Sequence, residues 1–151
     1  KVDSAHRAGA MSVGAKVKNQ TIPGYLPLRQ NKGMADMFRM NATDLVGEEN
    51  VGYVDHRGGS TDMGDISHLM PVIHPYVGGA IGLGHGATYV IEDYGLALIK
   101  GAKSLAYTAI DLLADNASLG NNIAGGQRPE MSIPDYLRFM RGLASEETFE
   151  D

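Results

Sequence analysis

Cysteine and tryptophan are absent from this 151-residue chain, and phenylalanine occurs only three times. Without cysteine there can be neither a disulfide nor a thiolate metal site, which fits a reducing compartment. Positive charge is also scarce: 13 Lys and Arg stand against 18 Asp and Glu, a formal net charge of −5. A nucleic-acid-binding domain ordinarily carries a basic patch, so nucleic acid is not an expected partner. No apolar run approaches the roughly 18 residues that a membrane span needs, and no charged-then-apolar leader opens the chain. The expectation is a cytoplasmic protein with no membrane partner. An initiator Met is missing as well. The chain opens KVDSAHRAG and runs directly into helix-like sequence, and it reads as a piece of a longer polypeptide.

What is present has globular proportions, with 43% hydrophobic and 21% charged residues. That composition and length suit one ordinary domain. Eight of the 20 glycines fall between Arg57 and Gly86, together with His68, His74 and His85 and the carboxylates of Asp62 and Asp65. Dense glycine beside polar side chains points to loop-built structure, because glycine is costly to order elsewhere.

The remaining chain supplies a scaffold. Val2 to Val13, rich in small residues, is predicted helical and ended by Gly14. Ala15 to Thr21 reads as a strand, and Pro23-Gly24 punctuates. Asn31 is placed to cap a helix over Lys32 to Val46, with Met34, Met37, Phe38 and Leu45 at helical spacing and Gly47 at its end. Val51 to Val54 is expected to be a short strand, and Ile66 to Ile73 to carry strand-like pieces interrupted by Pro71. Asp93 should cap the longest helix, Tyr94 to Ala114. Its stripe of Leu98, Ala102, Leu105, Ala109 and Leu112, widened by Ile99, Ala106, Ile110 and Leu113, predicts burial against a sheet. Asp115 to Glu130 reads as loop, and Ser132 as the cap of a short helix with Pro134 in its first turn. The acidic end, SEETFED, is expected to fray.

Several residue groups invite chemistry. His85, between two glycines, has a ring reachable from several sides, as a loop metal ligand needs. A surface histidine is the plainer alternative. His68 and His74 match no short zinc spacing. His74-Pro75 reads as a turn and His68 as packing, while His56 and His6 are read as solvent-facing. Gly58 to Asp62 (GGSTD) offers successive N–H groups and two hydroxyls to an anionic oxygen. A hydrogen-bonded turn explains it equally well. Asp62 and Asp65 could pair for metal or acid–base work. No dinucleotide fingerprint, phosphate loop or GxSxG elbow is present.

Three blocks go further: GYLPLRQN, GGSTDMGDISHLMPVIHPYVGG and GHGATYVIEDYGLALIKGAKSLAYTAIDLL. Together they resemble the C-terminal part of the aminoacylase/carboxypeptidase metallopeptidase family, in particular its amidohydrolase branch similar to p-aminobenzoyl-glutamate hydrolase. The resemblance runs from about Ala15 to about Tyr136. It implies an α/β protein, the C-terminal half of a zinc-peptidase-like catalytic domain with a mixed sheet flanked by helices. Residues 1–24 would be the last helix and strand of an α+β lid and dimerisation domain, and residues 25–151 the catalytic part. His85 falls on the family's final metal ligand. Gly59, Ser60, Thr61 and Asp62 fall on the loop that borders the substrate.

The resemblance further implies two zinc ions, with manganese or cobalt as alternatives, a homodimer, and an N-acyl amino acid or small peptide-like amide as substrate. Gly86 stands where many members have Ser or Thr. The family's other metal ligands and its general base have no counterpart in this sequence, so the chain by itself is expected to be an inactive fragment. A half-domain of this kind should expose apolar surface and self-associate or pair with another chain. The competing expectation is a non-catalytic anion- or metal-binding or assembly domain that uses the same loop.

Overall fold

The computed structural model describes residues 1–54 and 58–150. His56 and Arg57 therefore lie outside the described residues. In chain order the elements are α1 (Val2–Met11), β1 (Val17–Thr21), α2 (Lys32–Val46), α3 (Met63–Ser67), β2 (Ala80–Ile81), β3 (Val90–Ile91), α4 (Gly101–Gly126), α5 (Ile133–Leu143) and β4 (Ser145–Phe149). A 3-10 turn, Glu48–Asn50, follows α2, and a π-helical segment, Gly95–Lys100, leads into α4. The chain divides into two compact units, Lys1–Tyr25 with Met131–Asp151, and Leu26–Glu130.

In the first unit β1 pairs antiparallel with β4, Val17 opposite Phe149 and Thr21 opposite Ser145. The acidic end is thus a strand, not a frayed tail. Opposite charges explain it: Lys18 reaches Glu146 at 2.8 Å and Lys16 reaches Glu150 at 2.7 Å. The Arg7 guanidinium lies 4.6 Å from the centre of the Phe149 ring. Cross-strand pairs of this type stabilise a ladder by a few tenths of a kcal/mol up to ~1 kcal/mol each. Ser132 caps α5, its hydroxyl accepting the Asp135 N–H at 3.2 Å, with Pro134 in the first turn. The same hydroxyl donates to the Asp135 carboxylate. That bond, with a smaller contribution from the Arg138 guanidinium, holds the Asp135 carboxyl below the usual carboxylate range.

In the second unit Asn31 caps α2, accepting the Met34 N–H at 2.9 Å, and Gly47 ends it at a φ of 86°. No strand forms at residues 51–54. Gly52 weakens a ladder there, and Tyr53 instead leans on α2, donating to Asp36 at 3.2 Å beneath the Arg39 guanidinium. The strand-like reading of residues 66–73 also fails, because residues 63–67 are the helix α3. Its start is local: the Thr61 hydroxyl oxygen accepts the Met63 N–H at 3.3 Å. Such side-chain turns compete well with extended backbone.

The long helix forms where expected, and Asp93 caps it by accepting the Leu96 N–H at 2.8 Å. Its buried face is a different one. Gly101, Ser104 and Thr108 are buried, Gly101 against the Val77 side chain and the other two along the face where α4 packs on α2. Leu98, Leu105, Ile110 and Leu113 of the expected core stripe stay between 51% and 72% exposed. Small side chains let two helices approach closely, and the hydroxyls bring their own partners. Ser104 donates to the Lys100 carbonyl at 2.9 Å and Thr108 to the Ser104 carbonyl at 2.8 Å. Asn41 of α2 completes the seam, donating to Asp111 at 2.8 Å.

Residues 114–117 break α4. Ala114 is extended and Asp115, Asn116 and Ala117 are left-handed, after which helical structure resumes to Gly126. The expected loop is therefore confined to its two ends, residues 115–117 and 127–130.

Among the described residues, strands form only two antiparallel pairs, β1 with β4 and β2 with β3. Each pair is a separate two-stranded sheet. Among the described residues, Met37 and Val72 are the buried hydrophobic side chains, and the apolar face of α4 stays exposed.

Candidate functional site

The glycine-rich loop enters α3, and α3 is fixed from below. Asp65 is buried, and its carboxylate accepts the Leu26 N–H at 2.8 Å. Ser67 accepts the Arg29 N–H at 3.0 Å. These bonds lay the 26–29 segment along α3, so Asp65 is a structural carboxylate. Asp62, one turn earlier, is exposed. The Asp62–Asp65 pair is thereby split, one group committed to backbone and one facing solvent.

Gly58, Gly59 and Ser60 are exposed. A Cβ added at Gly58 or Gly59 would meet nothing within 4 Å, so neither glycine is required by crowding. Among the described residues no hydrogen bond uses the N–H groups of Gly58, Gly59 or Ser60. The Thr61 hydroxyl lies 3.4 Å from the Asp62 carboxylate. An open loop with unengaged donors can accept an anionic oxygen, as a nest of N–H groups does.

His85 sits in the connection between β2 and β3. Gly82, at a φ of 89°, starts the turn, and the Gly86 N–H donates to the Leu83 carbonyl at 2.8 Å. At Gly82 a side chain would overlap the Thr88 carbonyl, so this turn requires glycine. His85 itself is left-handed, with a φ of 62°, and exposed. A side chain held there costs of order 1 kcal/mol, and such outliers collect at functional sites. Even so, among the described residues no three His, Cys, Asp or Glu side chains come together in a group able to hold a metal ion. A zinc site needs three or four protein ligands. His85 alone does not make one, and the described residues do not fit a two-zinc centre by themselves.

His68 and His74 differ in their surroundings. His68 is 9% exposed and bound on both ring nitrogens, at 2.6 Å to Glu130 and 3.0 Å to the Pro27 carbonyl. At His74 no hydrogen-bonded turn forms; its N–H donates to Gln30 at 3.0 Å and its ring meets Tyr76 edge to face. The sequence around His68 points to packing but not to its partners. Glu130 is 62 positions away, and no local signal joins the two.

A shallow cleft of about 500 Å³ lies beside the start of the long helix, lined among others by Leu45, Asn50, Gly78, Asp93 and Lys100. Lys100 is already engaged, donating to the Leu45 carbonyl at 2.9 Å. None of Gly59, Ser60, Thr61, Asp62 or His85 lines this cleft.

No family model matches the chain, and no solved structure matches it. A curated relative does. The chain is similar to the Xaa-Arg dipeptidase of Mus musculus, 31% identical over 130 residues that cover 79% of this chain and 30% of that protein. The likeness is to a peptidase. By its name the mouse protein acts on Xaa-Arg dipeptides, and this chain spans 30% of its length.

Proposed function

We propose that this chain is the C-terminal portion of a zinc-dependent amidohydrolase of the aminoacylase/carboxypeptidase kind. Its substrate would be an N-acyl amino acid or a small peptide-like amide. The observation that carries this reading is the likeness to a dipeptidase over 79% of the chain. The strained, exposed His85 and the open donors of the 58–60 loop support it.

In the working enzyme, a metal pair would supply the polarisation of the amide carbonyl and the activation of water. His85 would be one ligand of that pair, with the remaining ligands and the general base supplied by protein outside residues 1–151. The N–H groups of Gly59 and Ser60 would hold a substrate carboxylate. The Ser60 and Thr61 hydroxyls would orient it, with Asp62 bordering the same loop. On this reading residues 1–24 would belong to a lid domain, residues 25–151 to an α/β catalytic domain, and the assembly would be a cytoplasmic homodimer.

The test is hydrolysis of a panel of N-acyl amino acids and dipeptides, arginine-terminated ones included, by the complete enzyme with and without a chelator. His85→Ala should lower kcat/KM by at least about 100-fold, since the loss of even an outer-shell partner can cost that much. Its zinc content should fall in parallel. Thr61→Val should raise KM and leave kcat within a few-fold, the pattern of lost ground-state binding. A His85→Ala enzyme with undiminished zinc and turnover would overturn the assignment. The second reading, a non-catalytic anion- or metal-binding domain, is favoured by one observation, the lack of a three-ligand group among the described residues. It requires the panel to stay uncleaved while the chain still binds a carboxylate.

A further inference from the structure

We propose that His68 is a proton-dependent latch that fastens the two ends of the 26–130 unit to each other. This inference is independent of the hydrolase reading. The ring is 9% exposed and faces acceptors on both sides, the Glu130 carboxylate at 2.6 Å from Nδ1 and the Pro27 carbonyl at 3.0 Å from Nε2. A neutral imidazole has one N–H and one lone pair, so it can donate to one of these acceptors only. At the other it would set lone pair against lone pair. The imidazolium donates to both.

The ring is not the only connection. The Glu130 N–H donates to the His68 carbonyl at 2.9 Å, and the second oxygen of Glu130 meets the Arg29 guanidinium at 2.6 Å. The first and last segments of the unit, 26–29 and 127–130, therefore meet at one side chain. The charged groups around it are Glu130 from the last segment, Arg29 from the first, and Asp65 from α3 itself. Glu130 favours the cation and Arg29 opposes it across the shared carboxylate. Asp65 is occupied by the Leu26 N–H.

Loss of the ring proton leaves His68 able to hold Pro27 or Glu130, but not both. The segment laid along α3 then loosens at its centre, while the Asp65 and Ser67 contacts remain. Because α3 continues directly from the 58–62 loop, the anchorage of that loop changes with it.

Amide hydrogen exchange of the purified protein at pH 5.5 and pH 8.5, each corrected for the intrinsic effect of pH, tests the latch. Protection in segments 26–29 and 127–130 should fall by about tenfold at the higher pH, the worth of one charge-assisted hydrogen bond. Protection in α2 should not change. His68→Gln should remove the pH dependence. If that variant does not fold, Glu130→Gln should remove it equally, since it takes away the charge that the ring faces. Long-range ¹⁵N spectra of the unaltered protein at pH 5.5 should show two N–H groups on the His68 ring. Equal protection at the two pH values, a pH dependence that survives either substitution, or a single N–H on the ring at pH 5.5 would each overturn the proposal.

Discussion

Replacing Gly64 with alanine is expected to cost at least about 3 kcal/mol, the sum of overpacking and of the hydrogen bonds it would break. Gly64 is buried in α3, and a Cβ built there would overlap the Leu26 carbonyl oxygen and lie 3.0 Å from the carbon of that carbonyl. Relief requires the 26–28 segment to lift away. That segment is tied to α3 by the Leu26 N–H on Asp65, the Arg29 N–H on Ser67 and the Pro27 carbonyl on His68. Lifting it breaks polar contacts at a buried site, where unmade bonds are costly. Whole domains have only about 5–15 kcal/mol in hand, and among the described residues this one buries the hydrophobic side chains of Met37 and Val72. Urea titration followed by far-ultraviolet circular dichroism should show the midpoint collapse, or no cooperative transition at all. Gly59→Ala is the control. Its Cβ would meet nothing within 4 Å, and the midpoint should not move. A Gly64→Ala protein with the unaltered midpoint would mean that the 26–28 segment does not rest on α3.

The second large effect concerns the outward face of the long helix. Leu98, Ile99, Leu105, Ile110 and Leu113 are all exposed, and Lys103 is the charged residue set among them. Apolar patches beyond a few hundred Å² seldom stay bare on a soluble monomer. At micromolar concentration the protein should self-associate, with a weight-average mass in sedimentation equilibrium that rises with concentration. It should also bind a hydrophobic dye. Leu105→Glu with Ile110→Glu should return it to a monomer and reduce dye fluorescence several-fold. The stability cost should be within ~0.5 kcal/mol, as for other surface changes away from special features, because both side chains already face solvent. A dye-silent monomer before substitution would count against an uncovered face.

The contrast between these two sites shows which parts of the fold were legible in the sequence. Caps were, because they are local: Asn31, Asp93 and Ser132 each find their N–H three residues on. The break after the long helix was half legible, since Asp115 and Asn116 tolerate left-handed backbone. The helix that resumes afterwards was hidden by Gly120, Asn121, Asn122 and Gly125, which are poor helix formers. The choice of buried face on α4 was misread because breadth of an apolar stripe predicts burial only when a covering surface exists. Within residues 1–151, α2 offers a close fit to hydroxyls instead.

At the candidate site, spacing and resemblance single out the glycine-rich loop and His85 as candidates. Whether they share one site could not. Asp65, Ser67 and His68 looked like members of a reactive block, yet they hold backbone. Their partners at Leu26, Arg29 and Glu130 are distant in the chain.

The seam between α2 and α4 has a thermal consequence. A contact made through Ser104, Thr108 and Asn41 releases little hydrocarbon to water when it opens, and hydration of newly exposed hydrocarbon is what gives unfolding its large heat capacity. The 26–130 unit should therefore melt gradually, with an enthalpy that varies only weakly with temperature, and keep a shallow stability curve on cooling.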